Sequence, residues 1–445
     1  MIFLNTPVYD FLADYAGKDI LRCHMPGHKG RDYAGIPQEL CRLDITEISG
    51  ADSLFEADGI IAESERNMSG LYNTVATVYS AGGSTLCIQT MLALMKQEKR
   101  RIFAVRNVHR AFLNGAALLG TDPEWIMPRY SDGILSGEIS LDETEAALAS
   151  CGEPACLYVT SPDYTGRLAD ISALSALCRK YGAKLLVDNA HGAHLAFFEK
   201  SLHPIALGAD LCCDSAHKML PALTGAAMLH ASSGEYAGRI KQTMSLFAST
   251  SPSYLIMASL DLCNKYIADD IRQDIAENLK QIKSFKEHFS DRLFFAEGDP
   301  FHIAVRAAES GLNGNSLADR LREKGVECEY SDSGLVILLM SPMNRAEDYL
   351  RLEKALDTAA AECRRRVPSP EEFYLPPPHK VMSIRDAVFA PSEEIPVESS
   401  AGRICASVKV PCPPAVPIAV SGELITADHI NIFKNYGIST VNVVK

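Results

Sequence analysis

The sequence has no uninterrupted apolar run of about 18 residues, which excludes an ordinary membrane-spanning helix. Its opening, MIFLNTPVYDFLADYAGKD, carries acids and no basic region ahead of a long apolar stretch, so no export signal is expected. It lacks a CxxC pair and any His-rich ligand spacing, and its 13 cysteines are odd in number. That pattern suits buried thiols in a reducing, cytoplasmic compartment better than a disulfide frame or a zinc site. There is no internal repeat, no low-complexity tract and no acidic or basic block. The net charge of −13 is spread along the chain, which disfavours nucleic acid or an anionic membrane as a partner.

What is present is an ordinary globular composition, 47% hydrophobic, in 445 residues. That length calls for two or three domains. From about residue 60 to 230 helix-like and strand-like stretches alternate. A helix is expected over 59–71, and GGSTLCIQTMLALMKQ, HRAFLNGAALL, LDETEAALAS and ISALSALCRKYG read as further helices. RRIFAV, EWIMP, ACLYVTSP, KLLVDNA, ADLCCDS and GAAMLHA read as strands. The alternation predicts an α/β fold with a mostly parallel sheet between helices.

Residues 235–290 read as long amphipathic helices. FHIAVRA and GLVILLM as strands, with helices at SLADRLREKG and YLRLEKALDTAAAECRRR, predict a smaller α+β domain. Seven prolines between Val367 and Ser400 mark an extended connector that a helix at SIRDAVF interrupts. A short β-rich unit around GRICASVKVP, PIAV and TVNVV closes the chain. The expected boundaries are 1–58 for an N-terminal segment, 59–265 for the large domain, 266–366 for the small α+β domain and 367–445 for the connector with a C-terminal domain.

Chemistry concentrates on Lys218, in Ser-Ala-His-Lys, and on Asp188, which closes the apolar run LLVD thirty residues earlier. Both follow strand-like runs and so arrive at the carboxyl edge of a sheet, where open α/β folds bind ligands. A lysine binds pyridoxal 5′-phosphate as a Schiff base, and a carboxylate beside the ring nitrogen keeps that nitrogen protonated. The alternative for such a lysine is a solvated surface charge. AGGST (81–85) ahead of a helix offers Ser84 and Thr85 as phosphate ligands at a helix N-terminus, or Ser84 as a simple cap.

His109 opens a helix after the RRIFAV strand, where an imidazole can stack on a pyridine ring or merely cap the helix. His191 and His194 follow Asp188; closely spaced histidines also ligate zinc, but no third ligand is placed for it, so no metal is assigned. His191 is the candidate for a cofactor or substrate contact, and His194 is equally a structural residue. Ser215 and His217 flank the lysine as phosphate donors, and His217 is also able to exchange a proton with the substrate. On an extended chain residues 215 and 217 face away from 218, so convergence of all three requires a turn.

These residues resemble the Orn/Lys/Arg decarboxylase family in its shorter bacterial form, among the aspartate-aminotransferase-like, fold type I pyridoxal phosphate enzymes. The resemblance runs nearly end to end, through HMPGHKG, DITEISGADSLFEADGIIAE, GGST, RNVHR, TSPDYTGRLADI, VDNAHGAHLAF, DSAHKMLPALTG, STSPSYLIMASLD and ESSAGRICASVKVPCPPAVPI. It implies that Lys218 carries the cofactor, that Asp188 meets the ring nitrogen and that His109 stacks on the ring. It places Ser84, Thr85, Ser215 and His217 at the phosphate, and makes the protein a homodimer with the active site at the subunit interface. Ser251 and the stretch 52–56 are then candidates for reaching across it.

The implied reaction is decarboxylation of arginine, lysine or ornithine to an amine, as in polyamine synthesis. Lys218 or His217 returns the proton to Cα, and an acid among Glu47, Asp52, Glu56 and Asp58 is a candidate for the substrate's cationic tail. The sequence departs from the family at Arg110, Ser407, Cys412, Ala415 and Ser421, which leaves the choice of amino acid open. Transamination, Cβ elimination and a regulatory homologue without turnover are the competing readings.

Overall fold

The computed structural model describes residues 4–32, 35–361, 373–407 and 415–445. The chain forms two compact units, each made of two stretches: Met1–Gln97 with Leu185–Ile275, and Glu98–Lys184 with Ala276–Lys445.

The first unit holds four strands in the spatial order Ala76–Ser80, Ala227–Ala231, Leu211–Asp214 and Lys184–Asp188. Lys184–Asp188 and Leu211–Asp214 pair in parallel, whereas Ala227–Ala231 runs antiparallel to both of its neighbours. Every residue of Leu211–Asp214 and Ala227–Ala231 is buried, as expected for strands covered on both faces. The helix Gly83–Gln97 leaves the end of Ala76–Ser80 through Gly83, whose φ of +68° strains any residue with a side chain.

The helix Ile60–Tyr72 ends on Asn73 in the left-handed region. The helix Pro7–Gly17 donates its first N–H groups, Val8 and Tyr9, to the Asp261 carboxylate on the helix Tyr254–Asp269. One expectation changes here. Residues 235–253 are not one long helix but two short ones, Gly234–Ala237 and Ile240–Met244, followed by a loop to the cap Ser253. Gly238 and the run SLFASTSPS, rich in residues that compete for backbone hydrogen bonds and closed by Pro252, interrupt the helix.

In the second unit Ala155–Thr160, Arg101–Val105 and Glu124–Ile126 form a parallel ladder in that order. The helices Arg110–Leu119, Leu141–Ser150 and Ile171–Lys180 lie between or after these strands, and their first turns are capped by His109, Ser140 and Asp170. His302–Arg306, Leu335–Leu339 and Tyr330–Ser331 make an antiparallel sheet, accompanied by the helices Gly314–Glu323 and Ala346–Ala359. A further sheet joins Ser392–Pro396, Thr440–Val444 and Cys405–Ser407.

That last sheet corrects the connector reading. From residue 373 onward the proline-rich stretch includes the expected helix, Ile384–Phe389, but also the paired strand Ser392–Pro396; the prolines at 368 and 370 lie outside the described residues. PIAV is not a strand. The carbonyls of Pro417 and Ile418 accept from the buried Arg106 guanidinium instead, and Gly422 turns the chain with a φ of +90°. The helix Ala427–Asn435, capped by Thr426, was not anticipated. Part of GRICASVKVP, and Cys412, fall outside the described residues. Among the described residues no helix is long and apolar enough to cross a membrane.

Candidate functional site

Strand Leu211–Asp214 delivers Ser215 in extended conformation, and the chain then closes a helical turn, Ala216–Met219, with Lys218 N donating to Ser215 O at 3.1 Å. This is the turn that alternation along a strand demanded if residues 215, 217 and 218 were to work together. Lys218 Nζ lies 2.9 Å from His191 Nε2, and His191 is buried.

On the parallel neighbour, Asp188 pairs in register with Cys213 and is 2% exposed. Its Oδ1 accepts from Ala190 N at 3.2 Å and from Cys213 Sγ at 3.6 Å. Asp188, His191, Ser215 and Lys218 therefore gather at the carboxyl ends of two adjacent strands, joined by one short helix and one loop.

A second group lies at the N-terminus of the helix Gly83–Gln97. Ser215 Oγ donates to Ser84 Oγ at 2.9 Å, so two hydroxyls from different elements meet at the N-terminal turn of a 15-residue helix, whose first N–H, on Gly83, is taken by Gly225 O. That donor set suits a phosphate dianion. With an amine for the aldehyde and a buried carboxylate for the ring nitrogen, the residues present fit pyridoxal phosphate. Thr85, on the same first turn, is exposed and is not drawn into the Ser84–Ser215 pair.

His217 Nδ1 stands 2.9 Å from Ala226 O, an acceptor, so the ring's proton sits on Nδ1. Burial lowers the pKa of this histidine, the Ala226 bond opposes that and the Lys218 charge adds to it. The neutral ring thus presents Nε2 as an acceptor. His194 is fully buried, with its ring 5.6 Å from that of Phe198, in a structural position. His109 belongs to the second unit, where it caps the helix Arg110–Leu119 and its Nδ1 accepts from Ala111 N at 3.1 Å.

The acidic candidates separate clearly. Asp52 is a helix cap: Oδ1 accepts from Ser53 N and Asp58 N, and Oδ2 from Gly59 N, Ile61 N and Ala62 N, at 2.8–3.3 Å. Burial would raise its pKa, but the backbone donors outweigh it and hold the carboxyl below its usual range. Glu47, Glu56, Asp58 and Ser251 are exposed. In the C-terminal stretch, Ser407 Oγ accepts from Asn442 Nδ2 at 3.0 Å and Ala415 O accepts from Arg110 N at 2.9 Å. Ser421 is buried.

Two features escaped the sequence reading. Arg106, 2% exposed, pairs with Glu423 at 3.0 Å and lies over the Trp125 ring, which ties residues 417–423 to the segment that carries His109. The other is a buried Asp214 with two histidines. The signal for it was an acid closing an otherwise apolar strand, ADLCCDS.

A profile of the Orn/Lys/Arg decarboxylase major domain matches residues 6–306. The chain is 30% identical over 462 aligned positions to the arginine decarboxylase of Bacillus subtilis (strain 168), covering 97% of this chain and 94% of that protein. It is 29% identical to the arginine decarboxylase of Halalkalibacterium halodurans, with 96% and 92% covered. The fold matches the Francisella novicida lysine decarboxylase LdcF with a TM-score of 0.83, over 100% of this chain and 82% of that one, at 15% identity. It matches a Sphingomonas wittichii serine palmitoyltransferase with a TM-score of 0.55, over 70% and 79%, at 16% identity.

Proposed function

Because the chain belongs to the Orn/Lys/Arg decarboxylase family, whose members depend on pyridoxal phosphate, we propose that it removes the α-carboxylate of arginine, lysine or ornithine, giving CO₂ and the corresponding amine. The observation that carries this reading is the convergence of Lys218, His191 and Asp188 at two parallel strand ends. Arginine is the first substrate to test, since relatives matched over nearly their full length are named arginine decarboxylase.

Lys218 would hold the cofactor through its amine, Ser84 and Ser215 with the helix N-terminus would hold its phosphate, and Asp188 would face its ring nitrogen. When bound, pyridoxal phosphate supplies an electron-accepting ring for the pair released from the Cα–carboxylate bond. The protein's share is to orient that bond and to exclude water from it. Asp188 is fixed in place by Ala190 N and Cys213 Sγ, which orients its carboxylate for the ring nitrogen. One proton must return to Cα for each CO₂ lost. His217, with its proton committed to Ala226 O, is poorly set to give one, so Lys218 Nζ is the better donor.

The tail of the substrate needs a carboxylate other than Asp52, whose oxygens are occupied by backbone donors. Leu21, Met25, Leu223 and Leu246 of the first unit are exposed and so available to the subunit contact of the proposed homodimer. Among the described residues no two cysteines are joined, and nine of the eleven are buried, in keeping with the proposed reducing cytoplasm.

Purified protein loaded with pyridoxal phosphate and given each of the three amino acids should release CO₂ and amine in equal amounts from at least one. Keto acid or ammonia without CO₂ would favour transamination or elimination. Loaded protein with no turnover on any of them would favour a regulatory homologue.

A further inference from the structure

The strand ends that carry Asp188 and Lys218 are tied together by a second buried carboxylate. Asp214 is fully buried. Its Oδ1 accepts from Asn189 Nδ2 at 2.7 Å, and its Oδ2 meets His203 Nε2 at 3.1 Å and His230 Nε2 at 3.3 Å. The three partners come from separate places: the end of Lys184–Asp188, the loop before Leu211–Asp214, and Ala227–Ala231.

Each histidine is oriented in turn. Ile205 N donates to His203 Nδ1 at 3.4 Å, and His230 Nδ1 lies 2.9 Å from Thr77 Oγ1. The Tyr72 ring stacks on His230 at 4.6 Å and meets His203 edge-on at 5.2 Å, while its hydroxyl donates to Ala193 O.

The ligand atoms of His203, Asp214 and His230 are close enough together to surround a metal ion. The backbone donor on His203 Nδ1 argues against one. It leaves the imidazole's proton on Nε2, the nitrogen a metal would need bare. The group is a hydrogen-bonded hub with an acceptor-only carboxylate at its centre, Asn189, His203 and His230 around it, and the Cys212 thiol donating to Oδ1 at 3.6 Å. Burial by itself would raise the pKa of Asp214; the two histidines outweigh it and hold the carboxyl well below its ordinary range.

Position gives the hub its consequence. The parallel ladder ends at Asp188 opposite Cys213, with Asn189 N donating to Cys213 O at 2.9 Å. The next residues across are Asn189 and Asp214, and there the 2.7 Å side-chain bond takes over from the ladder. Asp188 is the residue before Asn189, and Ser215 and Lys218 come directly after Asp214.

We propose that Asp214 is a positioning residue for the cofactor site: held by Asn189, His203 and His230, it locks the two strand ends and so sets one spacing between the Asp188 carboxylate and the Lys218 amine. The inference rests on the assignment of Lys218 and Asp188 to the cofactor. An amide at 214 turns an N–H₂ group toward a partner that also donates. A flip of Asn189 only moves the mismatch, because it turns the N–H₂ group into the buried place beside Gly192 where Oδ1 now has no hydrogen-bond partner. Exchanging the two residues, Asn189→Asp with Asp214→Asn, restores one donor facing one acceptor and keeps the charge.

The test titrates cofactor-free protein with pyridoxal phosphate for the wild type, Asp214→Asn, Asn189→Asp and the exchanged pair, and records melting temperature, kcat and KM for each. Each single variant should bind the cofactor about tenfold or more weakly and lose kcat with little change in KM, and the pair should recover to within about threefold of wild type. Single variants that melt lower yet bind the cofactor as wild type does, or a pair no better than its parents, would overturn the proposal. So would a stoichiometric metal ion that His203→Gln releases. If Asp214→Asn does not fold, Asn189→Ser, which removes one donor, gives the same titration and decides. Borohydride reduction of the loaded wild type keeps the premise separate: a label away from Lys218 defeats the assignment of that lysine, whereas a label on Lys218 with unaffected variants defeats only the role of Asp214.

Discussion

Lys218 Nζ and His191 Nε2 lie 2.9 Å apart, with the imidazole almost wholly buried. A lysine amine must give up its proton before it can attack an aldehyde, and an adjacent imidazole gives that proton a place to go. His191→Leu should slow covalent loading of pyridoxal phosphate at pH 7 by roughly 100-fold, and raising the pH should restore much of the rate. Rapid-mixing absorbance measures this; an unchanged rate at pH 7 would remove His191 from the chemistry.

The Ser84–Ser215 pair makes a separate prediction about the phosphate. Replacing either serine by alanine removes one hydroxyl from the anion site and should weaken cofactor binding about tenfold, near 1.4 kcal/mol, with the melting temperature of the cofactor-free protein little changed. Thr85→Ala, at an exposed position, should have a smaller effect in the same titration.

Asp52 should behave as a cap and not as a substrate ligand. Asp52→Ala leaves five backbone N–H groups without their acceptor and should cost about 1–3 kcal/mol of stability by denaturant unfolding. The variant's KM for the basic amino acid, measured on folded enzyme, should stay near the wild-type value. A large rise in KM at unchanged stability would reverse the assignment.

Asp261 predicts a pH dependence. Burial pushes its pKa up to about 6, against hydrogen bonds from Ser64, Tyr9, Val8 and Asn264 that lower it. A folded pKa above the unfolded value near 3.9 means that the folded state binds the proton more tightly. This group's contribution therefore favours folding most below pH 4 and is lost as the pH rises to 6, by at most roughly 3 kcal/mol. Asp261→Asn removes that dependence. The difference in unfolding free energy between wild type and variant, followed from pH 4 to 6, should change with this sign; a flat difference would refute it.

Much of this was legible in the sequence, for a physical reason. Asp188 and Lys218 each end or follow an apolar run, so local pattern alone carries them to the same sheet edge. The hub around Asp214 was not legible: its partners stand 25, 11 and 16 residues away, and only strand register brings them together. The C-terminal stretch misled for a related reason. PIAV has strand-like composition, but its carbonyls are spent on Arg106, more than 300 residues earlier in the chain. The helix Ala427–Asn435 was missed although its Thr426 cap and its apolar residues Ile430, Ile432 and Phe433 were in view.

The central claim is covalent, and one measurement reaches it directly. Protein loaded with pyridoxal phosphate is reduced with borohydride, digested, and its peptides mapped by mass spectrometry. A single pyridoxyl group on Lys218, absent from Lys218→Ala, which should also lose at least about a thousandfold in CO₂ release, is the predicted result. A label on another lysine, or a Lys218→Ala variant that still takes up the label and turns over normally, would contradict the account.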